Sequence, residues 1–283
     1  MTLDAFLRSS ATLLGLMALL SLLETLLPFA RERAWRKRHW LPNLAFLALT
    51  LSLSFACNAG AVLVSAWLHT RGVGLLAGAA LSPAAWLLIG VFALDASTYA
   101  CHRSMHHLPL LWRAHRVHHS DPLVDVTTAL RQHPLEGLWR TLFVLAPAWA
   151  LGVPAQAVGL YRVISALQGL AEHTNVKLWD PLDRALSLAI CTPNMHKLHH
   201  SRRALETDSN YGNLLSLFDR AFATFQSPEP GRRVDYGLDG YDAPEAQRLG
   251  ALLRLPFQRS DGILSIAAAG ELGAASGLKD ATP

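Results

Sequence analysis

Apolar residues run along this chain in long blocks, each closed by charge, proline or glycine. The first block, residues 10–30 (SATLLGLMALLSLLETLLPFA), carries one charge, Glu24. About 20 apolar residues suffice to cross a hydrocarbon core as a helix, so the block is predicted to be a membrane anchor. A cleaved signal peptide is the rival reading. Against it, Asp4 offsets Arg8 ahead of the block, and no small-x-small site precedes Arg31. A basic loop follows, with Arg31, Arg33, Arg36, Lys37 and Arg38 beside Trp35 and Trp40, and His39 is read as a loop residue. Positive charge flanking a span stays in the cytoplasm. Residues 43–68 predict a second span leading outward. After a turn at Gly72 and Gly74, residues 75–94 predict a returning span with Pro83 as a kink or interfacial break. Its helix is expected to run past Asp95 into His102. Residues 134–171 hold two shorter apolar runs broken at Gly152-Val153-Pro154, the pattern of a hairpin that dips into the bilayer and returns.

This reading gives an all-α, multi-pass membrane helical bundle of about four spans or hairpin helices. Residues 201–226 are mixed and expected in the cytoplasm, and residues 244–257 predict a short amphipathic helix. Residues 1–257 form the membrane-embedded domain, and the Ala/Gly-rich residues 258–283 are expected to be a disordered tail. Composition agrees. Charged residues make up 16% of the 283, against about 25% in soluble domains, and mean hydropathy is +0.24. The net charge of +4 is modest, and the basic residues cap apolar blocks. They form no aromatic-interleaved stripe, which argues against nucleic acid as a partner. Cys57, Cys101 and Cys191 are scattered without a CxxC, the pattern of reduced thiols.

The topology gives the histidines their meaning. Six of the 13 fall within residues 102–119, and His196-Lys197-Leu198-His199-His200 repeats the H-x-x-H-H spacing of His115-Arg116-Val117-His118-His119. With His133 and His173, every clustered histidine is predicted at the cytoplasmic face, although lysine and arginine alone set the orientation. His69 falls at the opposite face and is not expected to be a ligand. His102 and His106, four apart, share a helix face. Adjacent rings such as His118 and His119 diverge by about 100° on a helix, which suits two ions, each taking one ring. Catalytic zinc sites use three protein ligands and structural sites four, so eight or more converging imidazoles imply two metal ions. Imidazole alone does not choose between iron, zinc, copper and nickel. His107, beside His106, is expected to point away. His133 stays open between ligand, partner of a ligand and channel lining, while His173 is read as the link between the two bursts. Asp95, two turns before His102, is a candidate acceptor for a ligand ring.

These words and their neighbours resemble the fatty acid hydroxylase and sterol desaturase superfamily of integral membrane non-haem di-iron enzymes. The resemblance rests on Asp95-x-x-x-Tyr99-x-x-His102-Arg103, Leu111-Trp112-Arg113-x-His115 through Ser120, Leu130-Arg131-x-His133-Pro134-x-Glu136, His173-x-Asn175, and Asp208-x-Asn210-Tyr211-Gly212-Asn213 through Asp219. It covers roughly residues 10–257. It implies a cytosolic cap holding a dimetal centre, two iron ions, and the ligands His102, His106, His115, His118, His119, His173, His196, His199 and His200. It also implies dioxygen as co-substrate and attack on an unactivated C–H bond of a fatty acyl, sterol or related lipid. No catalytic residue separate from the centre is expected. Asp95, Asp125, Glu136, Glu172 and Asn175 are candidates to hold ligand rings or relay protons. With no haem-binding HPGG word, CxxC iron–sulfur pattern or nucleotide loop, electrons are expected from a separate ferredoxin, cytochrome or reductase. The leading expectation is a lipid hydroxylase in the cell inner membrane, if the chain is bacterial. A desaturase of a sterol or other polycyclic lipid shares the oxidant and is the alternative. A non-redox metal-binding or transport protein is a third reading, but transport requires polar ligands inside the spans, and these histidines lie at span ends.

Overall fold

The computed structural model describes residues 3–30, 33–227 and 234–258, and every regular element among them is a helix. Arg31, the side chains of residues 33–38 and the expected tail from residue 259 lie outside the described residues. Five helices form the frame: α1 (Leu3–Leu26), α2 (Arg33–Thr70), α3 (Pro83–His107) and, after a short α4 (Pro109–His119), a hairpin of α5 (Pro134–Leu151) and α6 (Ala155–Glu172). Short helices follow: α7 (Asp180–Leu186), α8 (Pro193–His199), α9 (Ala204–Thr207), α10 (Leu217–Ala221) and α11 (Leu249–Arg254).

Three expectations need correction. Helix α2 begins at Arg33, so His39 is a helical residue, not a loop residue. Pro83 does not kink a helix but begins one. Ser82 caps α3, its hydroxyl accepting from the Ala85 N–H at 3.2 Å, and proline at the first helical position forfeits only an amide that has no intrahelical partner. The expected amphipathic helix at 244–257 is shorter, with α11 followed by a 3₁₀ turn at Leu255–Phe257.

Residues His39–Thr70 and Pro83–His107 are long and apolar enough to cross a membrane, whereas the apolar part of α1, Ser10–Leu26, is shorter. Leu41, Leu63 and Trp67 on α2, Leu88 on α3 and Trp149 on α5 are each more than half exposed. Such a surface suits lipid better than water. Inside, α2, α3, α5 and α6 pack around Ala61, Leu94, Val144, Val153, Ala157, Val158 and Tyr161. Gly152 turns the hairpin in the left-handed region at φ 78°. Gly90 lets α3 approach α6 so closely that a Cβ there would stand 2.6 Å from the Ala157 Cβ.

A second core is polar. His39 Nδ1 lies 3.1 Å from Asp121, and its Nε2 lies 3.1 Å from Asp125. Asn43 donates to Asp121 at 3.0 Å. The buried Arg131 donates to the Val117 carbonyl at 2.8 Å and to the Ser120 hydroxyl at 2.9 Å. This network fastens the end of α4, with its three histidines, to the start of α2.

Gly90→Val should destabilise the fold by about 1–3 kcal/mol, the usual cost of overpacking. Thermal unfolding in detergent should show a lowered midpoint; an unchanged midpoint contradicts the close approach of α3 and α6.

Candidate metal centre

Four chain segments carry histidines to one place. His102 and His106 lie near the end of α3, and His115, His118 and His119 on α4. His173 follows α6 as its C-cap. His196 and His199 lie on α8, with His200 capping it. Pro109 and Pro193 open the two short helices, and the Thr192 hydroxyl caps α8 by accepting from the Met195 N–H.

The nine rings sort into two groups. His102, His106, His115, His119 and His199 form one; His118, His173, His196 and His200 form the other. Within each group the donor nitrogens lie within 4.8 Å of one another. Neighbours in sequence go to different groups, His118 and His199 apart from His119 and His200, as the rotation of about 100° per residue requires.

The outward nitrogens are anchored. His102 Nδ1 donates to the Tyr211 carbonyl at 2.9 Å, His173 Nδ1 to Gly169 at 2.6 Å and His199 Nδ1 to Ser209 at 2.6 Å. A carbonyl can only accept, so these bonds put the proton on Nδ1 and turn the Nε2 lone pair inward. His115 Nδ1 stands 3.2 Å from Glu136 and His106 Nδ1 3.3 Å from Asp208. The His115–Glu136 contact has ion-pair distance without good hydrogen-bond alignment, since both atoms otherwise lack a partner.

The inward nitrogens crowd together. His173 Nε2 lies 3.1 Å from His118 Nε2, 3.0 Å from His196 Nε2 and 3.2 Å from His200 Nε2. In the other group, His115 Nε2 lies 3.1 Å from His102 Nε2 and 3.2 Å from His119 Nε2. His106 Nε2 and His199 Nε2 are buried without a hydrogen-bond partner. Inward lone pairs repel unless a proton or a cation lies between them. Nitrogens about 2.1 Å from one ion and at right angles around it stand about 3.0 Å apart, close to the spacings here. Burial pushes His199 down to about 3 and His173 to about 4, toward the neutral form that metal binding needs.

Other sequence-predicted residues fall elsewhere. Asp95 meets no histidine ring. It accepts from the Leu214 and Leu215 N–H groups at 3.1 and 3.0 Å and from the Tyr161 hydroxyl at 3.1 Å. Asn175 exchanges side-chain hydrogen bonds with the Ala30 backbone and so ties down the segment after α1. His133 belongs to neither group; its Nδ1 caps α5 by accepting from the Leu135 N–H at 3.3 Å. Asp125 meets His39, and Glu172 stands 3.9 Å from His196 Nδ1. His107 is outside both groups, 3.4 Å from the Tyr211 hydroxyl, and His69 Nδ1 meets the Gly152 carbonyl. Sequence reasoning missed the three carbonyls that orient rings, because any residue type supplies a carbonyl. It also missed Asp208, which opens the Asp208–Asp219 motif, and Arg140, which grips Glu136 at 2.7 Å.

The family model described as fatty acid hydroxylase matches residues 87–224. The chain is 30% identical to the ornithine lipid hydroxylase OlsE of Rhizobium tropici, across 87% of this chain and 74% of that protein. It is 35% identical to alkylglycerol monooxygenase of Danio rerio across 54% of this chain, and 30% identical to that of Homo sapiens across 54%. These matches span about a third of each monooxygenase, 32% and 33%. No solved structure matches the chain.

The depressed histidines make stability depend on pH. In the unfolded chain these rings take up protons near pH 6.5, whereas the folded, metal-free protein resists protonation down to about 4 at His173 and about 3 at His199. The unfolded state therefore binds more protons as pH falls, and stability drops from about pH 6.5 downward. The thermal midpoint of chelator-stripped protein should fall steadily between pH 7.5 and 5; a flat profile contradicts buried neutral rings.

Proposed function

The chain belongs to the fatty acid hydroxylase family, and on that premise we propose that it is a membrane-bound di-iron oxygenase that hydroxylates an unactivated C–H bond of a lipid. As a member it is an oxygen-dependent oxidoreductase. The observation that carries the finer reading is the division of nine imidazoles into two inward-facing groups. His102, His106, His115, His119 and His199 would hold one ion; His118, His173, His196 and His200 would hold the other. The donor set fits iron, since imidazole suits it, and two inward nitrogens are buried without a partner. Bound there, two iron ions would supply dioxygen activation and the redox chemistry that opens a C–H bond.

The chain's own residues prepare that chemistry. Carbonyls of Tyr211, Gly169 and Ser209 fix three rings as Nδ1–H tautomers. Glu136 stands beside the His115 Nδ1 and is itself held by Arg140, which places its carboxylate to orient the ring. Burial keeps bulk water from the nitrogens, and an all-imidazole donor set adds no negative charge. In this reading α2 and α3 cross the membrane antiparallel and α5 and α6 form an inserted hairpin. The His39 end of α2, the His107 end of α3 and the His173 end of α6 then share the cytoplasmic face, where a cap of α4 and α8 completes the site. A separate ferredoxin, cytochrome or reductase would deliver electrons. The activities for which the relatives are named, hydroxylation of an ornithine lipid and monooxygenation of alkylglycerol, favour hydroxylation over desaturation and an amphiphilic lipid over a sterol.

His118→Ala and His199→Ala, one from each group, should each lower bound metal and abolish the lipid product, whereas His107→Ala should keep both. Glu136→Gln should weaken metal affinity roughly 10–100-fold. Elemental analysis together with mass spectrometry of lipid extracts, scored for the gain of one oxygen atom, reads all four. Equal loss in His107→Ala would overturn the assignment.

A further inference from the structure

We propose that the pocket between α2, α5 and α6 is an oxyanion subsite, in which Arg140 and Arg162 hold the carboxylate or phosphate of the lipid substrate. This rests on the reading that the chain acts on a lipid. The pocket is lined by Ser54 and Cys57 of α2, Gly137, Arg140 and Thr141 of α5, and Arg162 of α6. These helices are otherwise largely apolar, and an ionisable side chain inside such a bundle is by default a candidate functional group.

The charges do not balance inside the pocket. Arg140 directs Nε and one Nη at a single oxygen of Glu136, at 2.8 and 2.7 Å. The other Glu136 oxygen faces His115 Nδ1 at 3.2 Å. One carboxylate is thus shared between a guanidinium and a ring of the candidate metal centre. Arg162 makes no hydrogen bond or ion pair with any described residue, and its Nε is buried without a partner. A guanidinium cannot shed its charge to suit its surroundings. Its fixed fork of donors matches a carboxylate or phosphate, and an anion in the pocket would supply the missing counter-charge.

Size and position point to a head group instead of an acyl tail. The cavity holds about 50 Å³, where one water needs about 10–15 Å³ on the same measure. That is room for a group of a few heavy atoms. Ser54, at the rim, is exposed, which leaves an exit toward the lipid-facing side of α2 for the attached chain. Arg140 reaches the His115 ring through Glu136, so an oxyanion bound to Arg140 would be separated from the imidazole groups by two side chains.

The test uses the protein purified in neutral detergent after iron supplementation, with its metal content measured first. Binding of oleate, 1-oleoyl-lysophosphatidate and uncharged 1-oleoylglycerol is measured by titration calorimetry and native mass spectrometry. At least one of the two anions should bind tenfold or more tightly than the uncharged lipid. Arg162→Gln should remove that preference, and Arg162→Lys should restore part of it. Gly137→Leu should also remove it without touching a charge, because a Cβ at Gly137 meets nothing within 4 Å and a longer side chain would fill the space. Equal binding of all three lipids, or a preference surviving both Arg162→Gln and Gly137→Leu, would overturn the subsite. A co-purified phospholipid that oleate does not displace would overturn its assignment to the substrate. Metal content separates the two proposals. A wild-type protein that prefers the anions but binds no metal defeats the oxygenase reading and leaves the subsite standing. A variant that keeps its metal and loses the preference supports both.

Discussion

Nine buried imidazoles aimed inward are the constraint on which the rest of this structure depends. Each ring has been taken out of water, and the inner nitrogens of a group approach to 3.0–3.2 Å. Such a cluster needs neutral rings, and the cation proposed above would satisfy their lone pairs. Much of the surrounding chain serves the first condition. The segment carrying Ser209 and Tyr211 supplies two of the orienting carbonyls. Asp95 and Asp219 in turn hold that segment, Asp219 by accepting from the Tyr211 and Gly212 N–H groups at 2.8 Å. Gly212 leaves no room for a side chain there, since a Cβ would stand 2.6 Å from the Cys191 Sγ.

The two cores divide the labour. The apolar core of α2, α3, α5 and α6 sets helix spacing, with Gly90 and Gly152 allowing close approach and a tight turn. The polar core around His39, Asp121, Asp125 and Arg131 fixes the end of α4. A polar network of this kind is costly unless every member is satisfied. His39, Asn43, Asp121, Asp125 and Arg131 all have partners. It gives α4 a defined position rather than extra stability, and position is what three histidines on one short helix require.

Some of this was legible in the sequence and some was not. The allocation of adjacent histidines to opposite groups follows from a local rotation angle, so H-x-x-H-H sufficed to expect it. The hairpin break at Gly152-Val153-Pro154 was equally local. Asp95 was misread because helical spacing reports a shared face but not what packs against it. The amides of Leu214 and Leu215, more than a hundred residues on, claim its carboxylate. His39 and Asn175 failed for the same reason: their partners, Asp121 and Ala30, are distant in sequence. Pro83 was read as a kink or an interfacial break, and the Ser82 cap makes it the first residue of α3. Arg162 belongs to no motif, and only its unpaired state beside Arg140 gives it interest.

X-ray absorption at the metal K-edge of the purified protein, combined with metal counting, tests the central claim most directly. The account predicts two iron ions per chain, each surrounded by imidazole nitrogens with no sulfur ligand. One ion per chain, or a shell containing sulfur, would contradict it.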